Sequence, residues 1–215
     1  MRIPETQLEA TVIDRPNRFV VTVNSDGREI RCHLHDPGRL KELIFPGARV
    51  LIRRAPALKT QYSITAAWNR KEWILTDSRF HSRIGAEFLP PDSQREVSLG
   101  RSRIDFFAGG TYIEVKGGTL LRNGRAYFPD APTKRGAHHL KLLTEAIKEG
   151  KKAILLMLVF QPDAQCFLPN SDTDPVFASS LSDFISYGGE VFVAKFRFNR
   201  NGDVTFMGSI PLCLG

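Results

Sequence analysis

Short runs of alternating apolar and polar residues fill the first third of the chain. Alternation with a period of two places successive side chains on opposite faces of a strand, so these runs predict half-buried β-strands. The segment "NSDGR" carries a glycine turn signal that joins the second and third strands as a hairpin. Residues 36–47, "DPGRLKELIFPG", interrupt the series with a turn and one helical turn. The pattern predicts five strands, at residues 8–14, 18–24, 29–35, 48–55 and 61–68.

Beyond residue 80 the pattern changes to mixed helices and strands. Apolar residues spaced by four within 79–89 predict a helix that the Pro-Pro pair at 90–91 ends. An unbroken apolar run at 153–160 is typical of a strand buried on both faces. The remaining pattern predicts strands at 95–100, 103–108, 111–116, 190–198 and 203–207, and helices at 133–149 and 176–187.

Five short strands in a basic segment favour a small closed barrel of the oligonucleotide-binding (OB) type. The later alternation of strands and helices favours a mixed α/β unit. We therefore predict an α/β (α+β) protein of two domains, an OB-like, nucleic-acid-binding β-barrel over residues 1–80 and an α/β domain over residues 81–215.

The charge distribution points to a polyanionic partner, and we expect DNA. The net charge is +7, and residues 1–82 carry 14 Lys and Arg against 9 Asp and Glu; 11 of the 14 cations are Arg. Arginine forks onto phosphates and stacks on bases. Singly, each arginine is equally consistent with a solvated surface side chain. The candidate contacts on the barrel are Arg18, Arg31, Arg39, Arg53 or its neighbour Arg54, and Arg70, with Tyr62 or Trp68 as stacking surfaces.

The cysteines and the apolar runs bear on location. Cys32, Cys166 and Cys213 show no CxxC motif and no pairable spacing, so we predict neither a disulfide framework nor a thiolate zinc site, and a reducing compartment. The longest apolar run is too short to span a bilayer, and the first ten residues lack the apolar run of a signal peptide. We expect a cytoplasmic protein with no membrane segment; a homo-oligomer stays open.

Two acids and a lysine interrupt consecutive predicted strands in "RIDFFAGGTYIEVK". Side chains alternate across a strand, so Glu114 and Lys116 share one face, and a hairpin through "AGG" brings Asp105 to that face. Two neighbouring carboxylates suit a hard divalent ion such as Mg²⁺ or Mn²⁺, which polarises a phosphate and activates water. We predict that Asp105 and Glu114 bind the metal and that Lys116 completes the catalytic set. The alternative is a solvated hairpin with a cross-strand ion pair.

A second group of polar residues lies in "YFPDAPTKRGAHHLKLL". Asp130 lies in a proline-flanked turn, and Thr133 is placed to cap the helix that follows. Lys134 and Arg135 lie in its first turn, where the helix dipole disfavours cations, so a bound anion would explain them. The alternative is a capped helix with solvated cations. His139 and the histidine before it lack partners for a zinc site.

The order of elements and the Asp…Glu-x-Lys spacing resemble the PD-(D/E)xK nuclease core. In that superfamily an acid on the leading helix often joins the site. The resemblance implies Glu87 as a further metal ligand, with Glu96 on the first strand as its competitor.

With "SRIDF", "YIEVK" and "FPDAPTKRGAHHL" in order, nearly the whole chain resembles the sugar fermentation stimulation protein A (SfsA) family. The resemblance implies an OB-like barrel, a nuclease-like second domain and DNA binding, and its namesake is linked to transcription of sugar-use genes. This chain departs from the expected pattern with "EVKGGT", "HDPGR" and "LTD". The family's motif residues fall on Asp105, Glu114, Lys116, Asp130, Thr133, Arg135, His139 and Glu87.

Three functions follow as hypotheses. The first is a DNA-binding protein whose second domain is a Mg²⁺- or Mn²⁺-dependent phosphodiesterase. The second is a non-catalytic DNA-binding regulator of sugar metabolism. The third, an enzyme acting on a small sugar phosphate, explains the basic barrel poorly.

Overall fold

A computed structural model describes residues 1–3, 7–55 and 60–213. The first part forms β1 Leu8–Asn17, β2 Val20–Ser25, β3 Arg28–His33, β4 Arg49–Arg54 and β5 Tyr62–Trp68. These strands pair in the order β3-β2-β1-β4-β5, and a parallel β3–β5 pairing closes the barrel. Alternate residues such as Val21, Val23 and Val50 fill its interior. The predicted barrel is confirmed, as is the α/β unit after it.

The second part begins with β6 Trp73–Leu75, a 3-10 turn at Ser78–Phe80 and α1 His81–Ala86. The elements that follow are β7 Gln94–Leu99, β8 Ser102–Ala108, β9 Thr111–Gly118, β10 Leu120–Arg122, β11 Arg125–Phe128, α2 Lys134–Lys148, β12 Lys152–Val159, β13 Cys166–Pro169, α3 Pro175–Ser186, β14 Glu190–Phe198 and β15 Val204–Ser209. The central sheet of this part has the strand order β6-β14-β12-β9-β8-β7, and β15 pairs with β14. A small second sheet has the order β10-β11-β13.

Strand β12 separates two hydrophobic cores, which explains its unbroken apolar sequence. Leu156 and Leu158 point into the core shared with the barrel and α1. Leu155 and Met157 point into the core under α2 and α3. Because β9 is the parallel neighbour of β12, the register fixes Glu114 opposite Leu155 and Lys116 opposite Met157.

Strand β6 joins the barrel to the central sheet of the second part, since it pairs with β5 on one side and with β14 on the other. The first residues of the chain also lie against the second unit. The amide of Ile3 donates to the carbonyl of Gly202 (2.8 Å), and the amide of Val204 donates to the carbonyl of Met1 (2.8 Å). The two units are thus joined by backbone hydrogen bonds at two places.

The prediction that the cysteines are unpaired is wrong, because Cys166 and Cys213 form a disulfide with Cα atoms 5.0 Å apart. The chain after β15 returns beside β13, where Phe167 and Leu212 form a parallel bridge. That pairing places two cysteines side by side although 47 positions separate them in sequence. The expected reducing compartment, which rested on unpaired cysteines, loses that support. Cys32 is a free, buried thiol.

The helices are short. In the part of the chain that the structure describes, none is long and apolar enough to cross a membrane.

Candidate active site

A cleft of about 430 Å³ lies between the loop after β3 and the edge of the second unit. The barrel loop forms one wall, and the middle of β8 with the second half of β9 forms the opposite wall. The turn between β11 and α2 closes the cleft at one end. Among the residues that line it are Arg18, Asp36, Gly38, His81, Asp105, Glu114, Lys116, Gly117, Asp130, Thr133 and Arg135.

Glu114 is the buried centre of the cleft, with 2% of its surface exposed. Its Oε1 accepts hydrogen bonds from the Lys116 ammonium and from His139 Nδ1, the latter at 2.6 Å. Burial acts to raise the pKa of Glu114, but the His139 hydrogen bond and the Lys116 charge outweigh it and hold the pKa below its usual range. Glu114 is therefore an ionised carboxylate at neutral pH.

Helix α2 supplies the second partner of this carboxylate. Thr133 caps the helix by accepting from the Gly136 amide (3.1 Å), which confirms the predicted cap. One turn further on, His139 is buried, and its Nε2 accepts from Arg135 Nε at 3.4 Å. A ring nitrogen that accepts leaves the proton on the other nitrogen. His139 Nδ1 is thus the donor to Glu114.

Asp105 lies beside this pair on β8. Its Oδ2 accepts from the Val115 amide at 2.7 Å, which anchors the carboxylate between Glu114 and Lys116 in the neighbouring strand. Burial, together with the charge of Glu114, raises the pKa of Asp105 to about 6. The structure thus brings Asp105, Glu114 and Lys116 together, as the strand alternation predicted.

The carboxylates fit a divalent cation. Glu114 Oε2 is buried and has no hydrogen-bond partner among the described residues. A buried carboxylate oxygen without a donor is costly unless a cation or water satisfies it. Within residues 1–3, 7–55 and 60–213 no three His, Cys, Asp or Glu side chains form a group that could hold a metal. Mg²⁺, however, commonly uses one or two carboxylates and completes its shell with water and phosphate oxygens.

The two other acids proposed for this site lie differently. Helix α1 ends at Ala86, and the exposed Glu87 carboxylate pairs with the amino group of Met1 at 3.6 Å. Glu87 is not among the residues that line the cleft. This placement corrects the expectation that it joins the carboxylates. Glu96 is exposed on β7 at the register position opposite Asp105, where its charge contributes to raising the Asp105 pKa.

Where the barrel loop meets the turn before α2, a second pair of acids packs against Gly38. Asp36 Oδ1 accepts from the Gly38 amide (2.6 Å), and Asp130 Oδ2 accepts from the Leu40 amide (2.9 Å). A Cβ at position 38 would overlap both carboxylates, so only glycine fits there. Burial, with the charge of Asp130, raises the pKa of Asp36 to about 7. Asp130 therefore positions the barrel loop over the cleft.

The basic residues predicted to bind nucleic acid divide into three groups. Arg18 and Arg135 are exposed and line the cleft. Four others are exposed outside it: Arg31, Arg39, Arg70 and Lys134. Arg53 is buried, its Nη2 is 2.9 Å from Asp77 Oδ2, and its guanidinium lies over Phe80. The expectation that Arg53 contacts DNA is corrected, because its guanidinium is buried and forms an ion pair with Asp77.

His81 is a cleft residue that the sequence reasoning missed. Its ring lies on Phe160, with centroids 5.2 Å apart, and its buried Nε2 has no hydrogen-bond partner in the described part of the chain. Burial lowers the pKa of His81 to about 4, so the ring is neutral at pH 7. A Cβ at Gly117 would overlap this ring, which explains the glycine in "EVKGG". No motif marked His81, and only this unusual glycine hinted at it.

Together, the closed barrel, the α/β unit and the cleft of acids between them define a two-domain protein, an OB barrel followed by an α/β domain, and two family models describe this arrangement. The SfsA N-terminal OB domain matches residues 13–76, and the sugar fermentation stimulation protein RE domain matches residues 75–202. The chain belongs to the sugar fermentation stimulation protein (SfsA) family.

Relatives match along most of the chain. The sugar fermentation stimulation protein homolog of Saccharolobus solfataricus is 52% identical over 97% of this chain and 87% of its own. The homolog of Sulfurisphaera tokodaii is 48% identical over 97% and 91%. A solved structure, Pyrococcus furiosus SfsA in complex with Ca²⁺, covers 100% of both chains with a TM-score of 0.90 and 25% identity.

Proposed function

We propose that this protein binds DNA in the cleft and hydrolyses a phosphodiester bond with Mg²⁺ or Mn²⁺ held by Asp105 and Glu114. One observation carries the proposal. The ionised, buried Glu114 is held at Oε1 by two donors, while its Oε2 has no partner among the described residues and Asp105 lies beside it. That arrangement leaves carboxylate oxygens for a cation in a cleft that also contains a lysine.

The protein's own groups have separable roles in this proposal. Lys116 lies in the cleft with 18% of its side chain exposed, so its ammonium is positioned to stabilise negative charge on a phosphate that enters. His139 donates to Glu114 and fixes which oxygen stays free. Arg135 in turn fixes the His139 ring. A bound divalent ion would polarise the phosphate and lower the pKa of the attacking water.

Two further observations support a cation at this position. Burial and the charge of Glu114 raise the pKa of Asp105 to about 6, and a positive ion between the two carboxylates would stabilise the ionised form of both. The related Pyrococcus furiosus SfsA is described in complex with Ca²⁺. Ca²⁺ and Mg²⁺ are both hard ions that bind oxygen ligands.

The charge around the cleft supports DNA as the substrate. Arg18 enters from the barrel and Arg135 from α2, so cations flank the carboxylates from both units. Exposed arginines at the rim bind phosphates with a strong dependence on salt. The net charge of +7 acts in the same direction.

The proposal is tested with labelled single- and double-stranded DNA at low salt, in Mg²⁺, Mn²⁺ or EDTA. We expect cleavage that requires metal and is lost in Glu114→Gln and Lys116→Met. Glu87→Gln is the matched control, because its carboxylate pairs with Met1 outside the cleft. Equal cleavage by Glu114→Gln, or cleavage in EDTA, would contradict the proposed site.

A second candidate is DNA binding without catalysis, as in a regulator of sugar metabolism. It is favoured by one observation. The Lys116 ammonium compensates the charge of Glu114 and His139 donates a hydrogen bond to it, so the cluster can also serve as a structural element. Retention of DNA without cleavage in every metal would select this candidate.

A further inference from the structure

The turn between β1 and β2 presents an aromatic ring near the rim of the cleft. Phe19 is 45% exposed, although burial of a phenylalanine is normally favourable. Its backbone is fixed on both sides. The Phe19 amide donates to Asn17 Oδ1 at 2.9 Å, and its carbonyl accepts from the Leu34 amide at 2.9 Å. The ring is therefore held outward by an ordered turn.

A second ring continues this surface on the neighbouring strand. His33 on β3 lies nearly parallel to Phe19, with an interplanar angle of 7° and centroids 6.2 Å apart. That separation is within the range of offset aromatic pairs. His33 is followed by His35, at 4.2 Å between centroids, whose Nε2 is 3.0 Å from Ser63 Oγ. The three rings form a row across the barrel, and we call Phe19 and His33 the aromatic platform.

Arg15 ties this platform to the cleft. Its Nη2 donates to the carbonyls of Arg18 (2.9 Å) and Gly38 (3.1 Å), and its Nη1 donates to the carbonyl of Arg39. The turn that carries Phe19 and the loop that forms the barrel wall of the cleft are thus held together. Arg18, the residue next to Phe19, lines the cleft itself.

We propose that the aromatic platform stacks an unpaired base, so that the substrate is single-stranded or locally unpaired DNA. The inference rests on the proposed DNA binding and names its substrate class. Exposed rings interleaved with arginines are typical of sites that stack bases and track the phosphates of a single strand. In a duplex the base faces are covered by their neighbours, and the platform has nothing to stack. Arg18 and Arg39 supply the phosphate contacts on either side.

The test is equilibrium binding in EDTA, where metal-dependent hydrolysis cannot occur. A fluorescent oligonucleotide of about 16 nucleotides, within the site size of OB domains, is titrated alone and as a duplex. We expect tighter binding of the single strand and a loss of roughly tenfold in Phe19→Ala for that strand only. Phe19→Trp retains a flat ring and should retain affinity, while Phe19→Leu keeps apolar area without a ring and should not. Phe206→Ala, at a distant phenylalanine with 47% exposure, is the matched control.

Each outcome decides the inference. Selective loss in Phe19→Ala and Phe19→Leu, with unchanged melting temperatures, supports the platform. Unchanged binding in Phe19→Ala, or an equal loss for single strand and duplex, overturns the platform and leaves the proposed function standing. No binding of either DNA at low salt overturns DNA binding itself. Failure of hydrolysis in the separate metal assay would not affect this result.

Discussion

Replacing Arg53 by methionine should destabilise the fold without weakening DNA binding. Arg53 Nη2 is bonded to Asp77 Oδ2 at 2.9 Å, and its guanidinium carbon is 5.1 Å from the centre of the Phe80 ring. Asp77 is fully buried just after β6, where the barrel joins the second unit. Methionine fills similar volume but removes the charge and the donors. The variant therefore tests a structural role against the nucleic-acid role that the sequence suggested.

The size of the stability loss depends on the hydrogen bonds that Asp77 retains in Arg53→Met. A hydrogen bond to a charged group contributes about 1.5–3 kcal/mol, and a buried cation–π contact adds about 1–2 kcal/mol. Arg79 still donates to Asp77 through Nε (3.0 Å) and Nη2 (2.7 Å), so the variant avoids the full cost of an unpaired buried carboxylate. We expect a loss of about 2–4 kcal/mol, which lowers the melting temperature of a chain this long by roughly 5–15 °C.

The loss of stability in Arg53→Met should depend on pH. Burial acts to raise the pKa of Asp77, but the hydrogen bonds from Arg79 and Arg53 outweigh it and lower the pKa. A depressed folded-state pKa stabilises the protein above the unfolded pKa of about 3.9, and this stabilisation disappears as pH falls through the folded value. The difference between wild type and Arg53→Met should therefore shrink below about pH 4.

The assay is urea unfolding at pH 7 and at acidic pH, with DNA binding measured on the same preparations. Arg54→Met is the control, because Arg54 is the exposed neighbour on the opposite face of β4. It should change stability by less than about 0.5 kcal/mol. A wild-type unfolding curve for Arg53→Met, combined with weaker DNA binding, would refute the structural role.

Three further outcomes are expected. Burial raises the pKa of Asp36 to about 7, so the folded state loses stability as pH rises from the unfolded pKa toward 7. Asp36→Asn should therefore have a higher melting temperature than wild type at pH 8, with a difference that shrinks toward pH 4; a difference that grows in acid would contradict this. Gly117→Ala should lower the free energy of unfolding by about 1–3 kcal/mol, because the added Cβ overlaps the His81 ring. Adding His81→Ala should restore part of the melting temperature; no recovery would exclude that overlap as the cause. Cys213→Ser removes the disulfide that closes a loop of 47 positions, and the chain-entropy model predicts a loss of about 4 kcal/mol in unfolding free energy. A reductant should lower the melting temperature of wild type but not of the variant; an unchanged melting temperature of wild type would argue against the disulfide.

Much of the fold was predictable because it follows from the local spacing of apolar and polar residues. The five barrel strands follow from alternation with a period of two, and β12 follows from its unbroken apolar run. The shared face of Glu114 and Lys116 follows from the same alternation, and the short loop before β9 brings Asp105 to them. Four strands were missed, because segments of three or four residues carry too little pattern: β6, β10, β11 and β13.

The remaining errors concern contacts between residues distant in sequence. The burial of Arg53 depends on Asp77, which comes within reach only when β4, β5 and β6 assemble. The apolar spacing placed Glu87 on a helix and the resemblance made it a metal ligand, but α1 ends before it and the amino group of Met1 pairs with it. The disulfide likewise depends on the return of the last residues to β13.

Direct measurement of divalent-metal binding tests the central claim, that Asp105 and Glu114 hold a cation. Mn²⁺ is titrated calorimetrically into metal-free wild type, Glu114→Gln and Glu87→Gln, with melting curves to confirm folding. The account predicts one site per chain in wild type and Glu87→Gln, and a loss of binding in Glu114→Gln. Equal Mn²⁺ binding by wild type and Glu114→Gln, or no binding by wild type, would contradict it.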